Sequence, residues 1–305
     1  MSTKGTESTD STESTSTPRV GTASTRTRLR PAAVAGAVAT LGLAMAVALP
    51  SAGASATPPR HGSTKPTIVL VHGAWANGSS WDGEVRILQD KGYTVNVPSN
   101  PLRGVAKDSE YLATYLATIA GPIVLVGHSY GGFVITAAAT GNPNVTALVY
   151  VDAFAPDQGE SIADLATGSG SVVEPALTDP ASVFTLRPFP GAQAEYDSYV
   201  LPDIFTRGFA QDLPRKQAAA LAAQQLPLAT GTFHEALAVE PAWKTIPSWA
   251  LVGTEDKVIP RAGLEQMAHR AGAHIQTVKG SHLSLVSHPR QTADLIMDAA
   301  RATSR

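Results

Sequence analysis

The stretch that decides the fold reads IVLVGHSYGG at residues 123–132 and runs into the small-residue segment Phe133–Thr140. A β-branched run, a tight glycine turn and a helix-forming run in this order are typical of a nucleophile elbow with the pattern GxSxG. The turn strains the serine backbone, and the residues two before and two after the serine must be glycine-like to avoid collisions. The pattern predicts that Ser129 is a nucleophile presented at the edge of a sheet.

A glycine turn before a helix can also bind phosphate. The chain has no GK[ST] motif, and it has no GxGxxG turn that precedes a strand ending in an acidic residue, which disfavours a nucleotide site. The backbone N–H of Tyr130 is instead expected to point to where an oxyanion would form. The second oxyanion donor is expected in the loop HGAW that follows Thr67–Val71, at the backbone N–H of Ala74.

A serine hydroxyl is a poor nucleophile until a neighbouring imidazole takes its proton. Among the eight histidines, His282 ends the sequence KGSH after the last predicted strand, on the same edge of the sheet as Ser129. His288 is the alternative base, although its place beside Pro289 favours a helix start. We therefore predict that His282 is the general base.

The imidazole in turn needs a carboxylate that fixes its tautomer. Asp256 follows the penultimate predicted strand, Ser248–Val252, and gives the chain order Ser, Asp, His that one class of hydrolase triads uses. The adjacent Glu255 and the strand-ending Asp152 are the alternatives. Asp256 is preferred because the turn before Val258 should aim it inward.

From Thr67 onward, short β-branched runs alternate with amphipathic stretches, which predicts an α/β fold with a mostly parallel sheet flanked by helices. The predicted strands are Thr67–Val71, Thr94–Val97, Ile123–Val126, Ala147–Val151, Ser248–Val252 and His274–Val278. The predicted helices outside the elbow are Trp81–Lys91, Ser109–Ala120, Arg261–Ala271 and a last helix opening at Pro289.

The alternation breaks over residues 156–246, which are rich in proline, have helical signals around Arg215–Gln225 and contain no clear strand. We predict that this insertion is a helical cap placed before the penultimate strand, because ligands bind at the carboxyl edge of a parallel sheet. A subdomain with only a packing role is the alternative. The hydrolase core would then comprise residues 67–155 and 247–305.

Residues 1–56 are predicted to lie outside the fold. A Ser/Thr-rich start that should be disordered is followed by a basic flank, the apolar run Ala32–Leu49 and a small-residue cleavage site near Ala54 or Ala56. This order predicts a secretory signal peptide, followed by a linker at 57–66. The alternative is a retained membrane anchor. With cleavage, the protein would be secreted and have no stable membrane association.

Composition excludes several function classes. The chain has no Cys, which rules out disulfides, Cys-ligated zinc, iron–sulfur clusters and a thiol nucleophile. Its formal net charge of -2 provides no field that would recruit nucleic acid or an anionic membrane. Chemistry by serine, histidine and carboxylate needs no metal or organic cofactor, so none is expected.

Five motifs carry a family resemblance: LVHGAW at 70–75, GHSYGG at 127–132, YVDAFAPDQGES at 150–161, AWKTIPSWALVGTEDKVIP at 242–260 and GSHLSLVSHP at 280–289. Essentially the whole chain after residue 56 resembles the α/β-hydrolase superfamily, in the branch of plant methyl-ester esterases, such as methyl salicylate esterases, and hydroxynitrile lyases. The resemblance implies a catalytic triad of Ser129, Asp256 and His282, with the backbone amides of Ala74 and Tyr130 as oxyanion donors.

Two positions separate the esterase-like pattern from the lyase-like one. Hydroxynitrile lyases of this branch carry Thr where this chain has Gly73, and Lys where it has Leu283. Without that cation nothing stabilises departing cyanide. Haloalkane dehalogenases, which are also relatives, use Asp as nucleophile, and Ser129 excludes that chemistry.

The sequence therefore predicts a secreted carboxylic-ester hydrolase that acts on a small-molecule ester and is a monomer or weak homodimer. Candidate substrate contacts are Trp75, Phe154 and Leu283, although Trp75 is also a candidate for packing its loop onto the body. Alternatives on the same triad are an acyltransferase or perhydrolase and an amidase or lactonase. A non-catalytic ligand receptor on a hydrolase scaffold is an alternative from another class.

Overall fold

The computed structural model describes residues 65–192 and 195–304. The predicted signal peptide and most of the predicted linker lie outside these residues. Among the helices that are described, none is long and apolar enough to cross a membrane.

Strands and helices alternate along the described chain. The strands are β1 Thr67–Val71, β2 Val95–Asn96, β3 Ile123–His128, β4 Val145–Val151, β5 Phe184–Arg187, β6 Asp197–Val200, β7 Leu228–Ala229, β8 Ser248–Gly253 and β9 His274–Val278. The α-helices are α1 Asp82–Asp90, α2 Val105–Leu116, α3 Gly131–Ala138, α4 Ile162–Ala166, α5 Pro202–Ile204, α6 Arg215–Ala223, α7 Arg261–Arg270, α8 Ser284–Ser287 and α9 Pro289–Thr303.

Six strands form one sheet in the order β2-β1-β3-β4-β8-β9, and every pair in it is parallel. Every residue of β3 is buried, as a strand covered by helices on both faces must be. Helix α3 packs on β3 and β4, and α9 packs on β3, β4 and β8. The predicted α/β-hydrolase fold is confirmed, and all six strands of the sheet lie where the sequence places them to within two residues.

The insertion between β4 and β8 is not wholly helical. Strands β5, β6 and β7 form a small antiparallel sheet within it, so the prediction of an insertion without strands is wrong. These strands are two to four residues long, and β6 pairs with β7 across an interval of chain that contains α5 and α6. Such short strands have too few residues to show alternation.

Helix α2 begins at Val105 and not at Ser109, where the sequence predicts it. Its first backbone donors are satisfied by a side chain from the insertion, because the Glu235 carboxylate accepts from the N–H groups of Val105 and Ala106, each at 2.8 Å. A carboxylate at this end of a helix is also favoured by the helix dipole. The cap comes from a residue remote in sequence, so no local capping signal marks the true start.

Candidate active site

Ser129 occupies a strained turn between β3 and α3. Its φ is +53°, a left-handed conformation that non-glycine residues rarely adopt. A Cβ on Gly127 would lie 2.6 Å from the carbonyl oxygen of Gly131, and a Cβ on Gly131 would lie 2.7 Å from that of Val71. The structure thus confirms that both flanking positions require glycine.

Three polar side chains from three separate loops meet at this turn. His282 Nε2 lies 2.8 Å from Ser129 Oγ, and His282 Nδ1 lies 2.8 Å from Asp256 Oδ2. His282 sits in the loop after β9 and Asp256 in the loop after β8, at the carboxyl ends of neighbouring parallel strands. The structure therefore brings together the three residues that the sequence predicts.

The Asp256 carboxylate is held at both oxygens. Oδ1 accepts from the backbone N–H groups of Val258 and Ile259 at 2.7 and 2.9 Å, which leaves Oδ2 for the imidazole. Burial raises the pKa of Asp256, and the two N–H groups oppose that effect because they stabilise the ionised form. The adjacent Glu255 is exposed and lies 3.7 Å from Lys279 Nζ, away from His282.

Burial also sets the charge of the imidazole. His282 is 1 % exposed, and burial lowers its pKa to about 3. Since the neutral ring has one bare nitrogen, a proton on Nδ1 directed at Asp256 leaves Nε2 able to accept from Ser129. The arrangement can therefore remove a proton from the serine hydroxyl.

Asp152 lies nearby but serves other partners. Its Oδ1 accepts from Gly253 N at 2.6 Å, and its Oδ2 forms a very short hydrogen bond with the hydroxyl of Ser284. Burial, and then the charge of Asp256, raise the pKa of Asp152 well above its usual value. No hydrogen bond joins it to His282 among the described residues, so the geometry favours Asp256 over this alternative.

His288, the alternative base, is outside the site. Its Nδ1 lies 2.7 Å from Ser287 Oγ, at the start of α9. This is the helix-start position that the neighbouring Pro289 indicates in the sequence.

Of the two predicted oxyanion donors, Tyr130 directly follows the serine, and Ala74 follows Gly73, where an added Cβ would lie 2.7 Å from Ser129 Cβ. Within the part of the chain that the structure describes, neither Ala74 N–H nor Tyr130 N–H has a hydrogen-bond acceptor. The Tyr130 phenol is fixed, because it donates to Asp108 Oδ2 at 2.8 Å. Asp108 was not predicted as a site residue; it lies on α2, and nothing in its local sequence marks the contact.

The candidate substrate contacts fall into two places. Trp75 and Leu283 line the same mostly apolar pocket, together with Phe205, Leu221 and Val286. Phe154 lines a different pocket, although its backbone N–H donates to Ser129 O at 3.3 Å.

Trp75 also joins the core to the insertion. Its indole Nε1 donates to the carbonyl oxygen of Ser198 on β6 at 3.0 Å, and its ring stacks on Phe184 with centroids 5.2 Å apart. The ring is buried, and the backbone of Trp75 has a φ of +55°. These contacts support the packing role that the sequence left open for it.

The insertion closes over the three polar residues. Ser129 is 4 % exposed. The Phe209 ring meets the His282 ring edge-on with centroids 5.5 Å apart, and Leu283 N–H donates to Phe209 O at 3.2 Å. A substrate must therefore displace part of this cover to reach the serine hydroxyl.

The chain is similar to known hydrolases along most of its length. The family model described as "Alpha/beta hydrolase family" matches residues 68–295, more than half of the chain. A pyrethroid hydrolase of Sphingobium wenxiniae is 27% identical over 254 residues, which cover 77% of this chain and 88% of that protein. A carbendazim hydrolyzing esterase of a Nocardioides species is 36% identical over 108 residues, which cover 31% of this chain and 45% of that protein.

A solved structure shows the same fold. An extracellular alpha/beta-hydrolase from a Paenibacillus species is described as sharing structural and functional homology with tobacco salicylic acid binding protein 2. It superposes with a TM-score of 0.60 at 24% identity, covering 77% of this chain and 99% of that one.

Proposed function

The chain belongs to the alpha/beta hydrolase family, and we propose that it is a carboxylic-ester hydrolase with a catalytic triad of Ser129, His282 and Asp256. The observation that carries the proposal is the continuous hydrogen-bonded chain from Ser129 Oγ through His282 to Asp256, with both contacts at 2.8 Å. The strained backbone at Ser129 supports it, since such strain clusters at functional sites.

In the proposed mechanism, Ser129 Oγ attacks the ester carbonyl carbon and its proton passes to His282 Nε2. Negative charge collects on the carbonyl oxygen, where the N–H groups of Ala74 and Tyr130 stabilise it. The C–O bond to the alcohol then breaks, and His282 gives its proton to the leaving oxygen. His282 then takes a proton from a water molecule, which attacks the acyl carbon. The bond from this carbon to Ser129 Oγ breaks, and His282 returns the proton to Oγ, which releases the acid and restores the serine.

We propose small, largely apolar esters as substrates. The pocket lined by Trp75 and Leu283 is mostly apolar, and Leu283 directly follows the proposed base in the chain. Relatives named for hydrolysis of pyrethroids and carbendazim act on small organic molecules. Leu283 provides no cation to bind an anionic leaving group, which supports ester hydrolysis over the lyase reaction.

The predicted export and the cap belong to the same proposal. We propose that residues 1–56 direct secretion and are removed near Ala54 or Ala56, which N-terminal sequencing of protein collected from culture medium would test. We also propose that the insertion, residues 156–246, acts as a cap, as its contacts with His282 and Trp75 support.

The test is hydrolysis of p-nitrophenyl esters of increasing acyl length, alongside methyl esters of aromatic acids, by the protein and its Ser129→Ala variant. We expect Ser129→Ala to retain the fold and lose activity by at least about a thousandfold, because the acyl-enzyme cannot form. Equal turnover by both proteins would overturn the assignment.

The alternatives separate in the same assay. Added alcohol or peroxide would divert the acyl-enzyme if the protein is an acyltransferase or perhydrolase. Amide and lactone substrates test the amidase and lactonase alternatives. A receptor would label at Ser129 once without release of the acyl group.

A further inference from the structure

His128, the residue before the nucleophile, contacts the backbone of the proposed base. Its Nε2 lies 2.9 Å from the carbonyl oxygen of His282, and the two imidazole rings have centroids 4.8 Å apart. His128 is 1 % exposed and is the last residue of strand β3. His282 is therefore contacted by two consecutive residues of the elbow. His128 bonds to its backbone, and Ser129 bonds to its side chain.

The contact fixes the tautomer of His128. A carbonyl oxygen only accepts, so Nε2 must carry the proton. His128 Nδ1 is buried and has no partner among the described residues, and it lies 3.0 Å from the point that a Cβ on Gly73 would occupy. A second proton would therefore be a buried charge without an acceptor. Burial, with the nearby His282 and His72, lowers the pKa of His128 well below its usual value.

The loop around His282 is also held from the core at Gly280, whose carbonyl oxygen accepts from Glu255 N–H at 3.0 Å, whereas the residues directly before and after His282 donate to the insertion. Ser281 N–H donates to Asp212 Oδ2 at 3.0 Å, and Leu283 N–H donates to Phe209 O at 3.2 Å. Both partners belong to the insertion, which must shift to admit a substrate. At His282 itself, the backbone is held from the core side by His128.

We propose that His128 is a positioning residue, which holds the His282 backbone in register with Ser129 through its Nε2–H hydrogen bond while the insertion moves. The proposal rests on the proposed function and adds to it a residue that does not touch the reacting atoms. A neutral neighbour also adds no repulsion when His282 takes the serine proton.

The test compares three replacements of His128. In His128→Gln, the side-chain amide can place a donor near the position of Nε2; His128→Asn is too short to do so, and His128→Leu fills space without a donor. We expect kcat for a p-nitrophenyl ester to fall about 100-fold in the Leu and Asn variants, with KM little changed, because a misplaced base costs about that factor. His128→Gln should recover most of the loss.

The exposed His269 provides the matched control, since His269→Leu makes the same chemical change away from the site. It should leave kcat at the wild-type value. If His128→Leu does not fold, the comparison of Gln with Asn still decides: a fast Gln and a slow Asn variant support the proposal. Equal kcat in those two variants, or wild-type kcat in His128→Leu, overturns it.

A readout independent of turnover keeps this proposal separate from the proposed function. The Nδ1–H proton of His282, bonded to Asp256, should give a low-field proton NMR signal. We expect this signal to persist in His128→Gln and to broaden or vanish in His128→Asn. Persistence in both would overturn the positioning role. The ester assay with Ser129→Ala tests the proposed function itself.

Discussion

At Gly73 the absence of a side chain lets the first loop of the core lie against the nucleophile. A Cβ there would lie 2.7 Å from Ser129 Cβ and 2.9 Å from His128 O, and neither atom belongs to a flexible side-chain end. The hydroxynitrile lyases that the sequence resembles carry Thr at this position. This chain cannot accept that side chain without moving the elbow, which strengthens the esterase interpretation.

The Gly73→Ala variant should therefore damage both stability and catalysis. We expect a loss of about 1–3 kcal/mol in the free energy of unfolding, from overpacking, measured by urea denaturation. Ester hydrolysis should fall with it, because the serine is displaced from His282. Gly263→Ala is the control, since a Cβ there would lie 3.9 Å from its nearest neighbour. Equal stability of the two variants would contradict the steric argument.

The two buried aspartates should respond differently to the same change. Asp256→Asn replaces a carboxylate that orients His282, and kcat should fall by about 10³–10⁴-fold because the imidazole takes the wrong tautomer. Asp152→Asn should stay close to wild type, since its amide can still accept from Gly253 N–H and donate to the Ser284 hydroxyl. Steady-state kinetics on one ester measures both. A larger loss in Asp152→Asn would reverse the assignment of the acid.

Among the individual site residues, the sequence predicts those that motif spacing and chain order mark. Ser129 has the GxSxG turn, and Asp256 and His282 each follow a strand that ends at one edge of the sheet. Asp108 could not be predicted, because its contact with the Tyr130 phenol depends on where α2 packs. The contact between His128 and the carbonyl of His282 spans 154 residues and leaves no local pattern.

Among the elements, α2 shows how a remote side chain sets a helix boundary. The Glu235 carboxylate accepts from two backbone donors at its first turn, Val105 N–H and Ala106 N–H. Replacing it with Ala should lower the free energy of unfolding by about 0.5–2 kcal/mol, the usual cost of losing a helix cap. Urea denaturation measures the loss.

Glu235→Gln serves as the control for that prediction. It keeps one acceptor oxygen and removes the charge, so its stability should fall between wild type and Glu235→Ala. If Glu235→Ala unfolds at the wild-type urea concentration, the cap contributes nothing and the early start of α2 needs another cause.

Most elements of the core could be predicted because they bury apolar faces, whereas in the insertion the sequence predicts α6 but none of the three short strands. Strand β3 is apolar along Ile123–Val126, and the structure extends it only to His128. Strand β7 has two residues, Leu228 and Ala229, and exists because Ser198 and Asp197 of β6 pair with them. Its identity is a property of tertiary packing and not of its own sequence.

Over the whole molecule, buried titratable groups make stability depend on pH in two opposite senses. Glu84 on α1 is fully buried, and burial raises its pKa well above the usual value, although the backbone N–H of Glu84 and the Thr292 side chain oppose the shift. Such a group stabilises the fold below its unfolded pKa and loses that contribution as pH rises. Glu84→Gln should therefore gain stability over wild type as pH rises above about 4.5. Urea unfolding at pH 4 and pH 8 measures the gain, and a constant difference would contradict it.

His282 should act in the other sense, because burial lowers its pKa to about 3 while the unfolded chain retains a value near 6.5. Between these values the unfolded chain binds a proton that the folded protein does not, so the stabilising contribution is present above about pH 6.5 and is lost as pH falls toward 3. His282→Gln removes the titrating group. The difference in unfolding free energy between wild type and this variant should shrink by about 2–3 kcal/mol from pH 7.5 to pH 4.5, at about 1.4 kcal/mol per pH unit. A difference that does not change with pH would show that the imidazole is accessible to water in the folded protein, and that the insertion does not close over the site as the buried geometry requires.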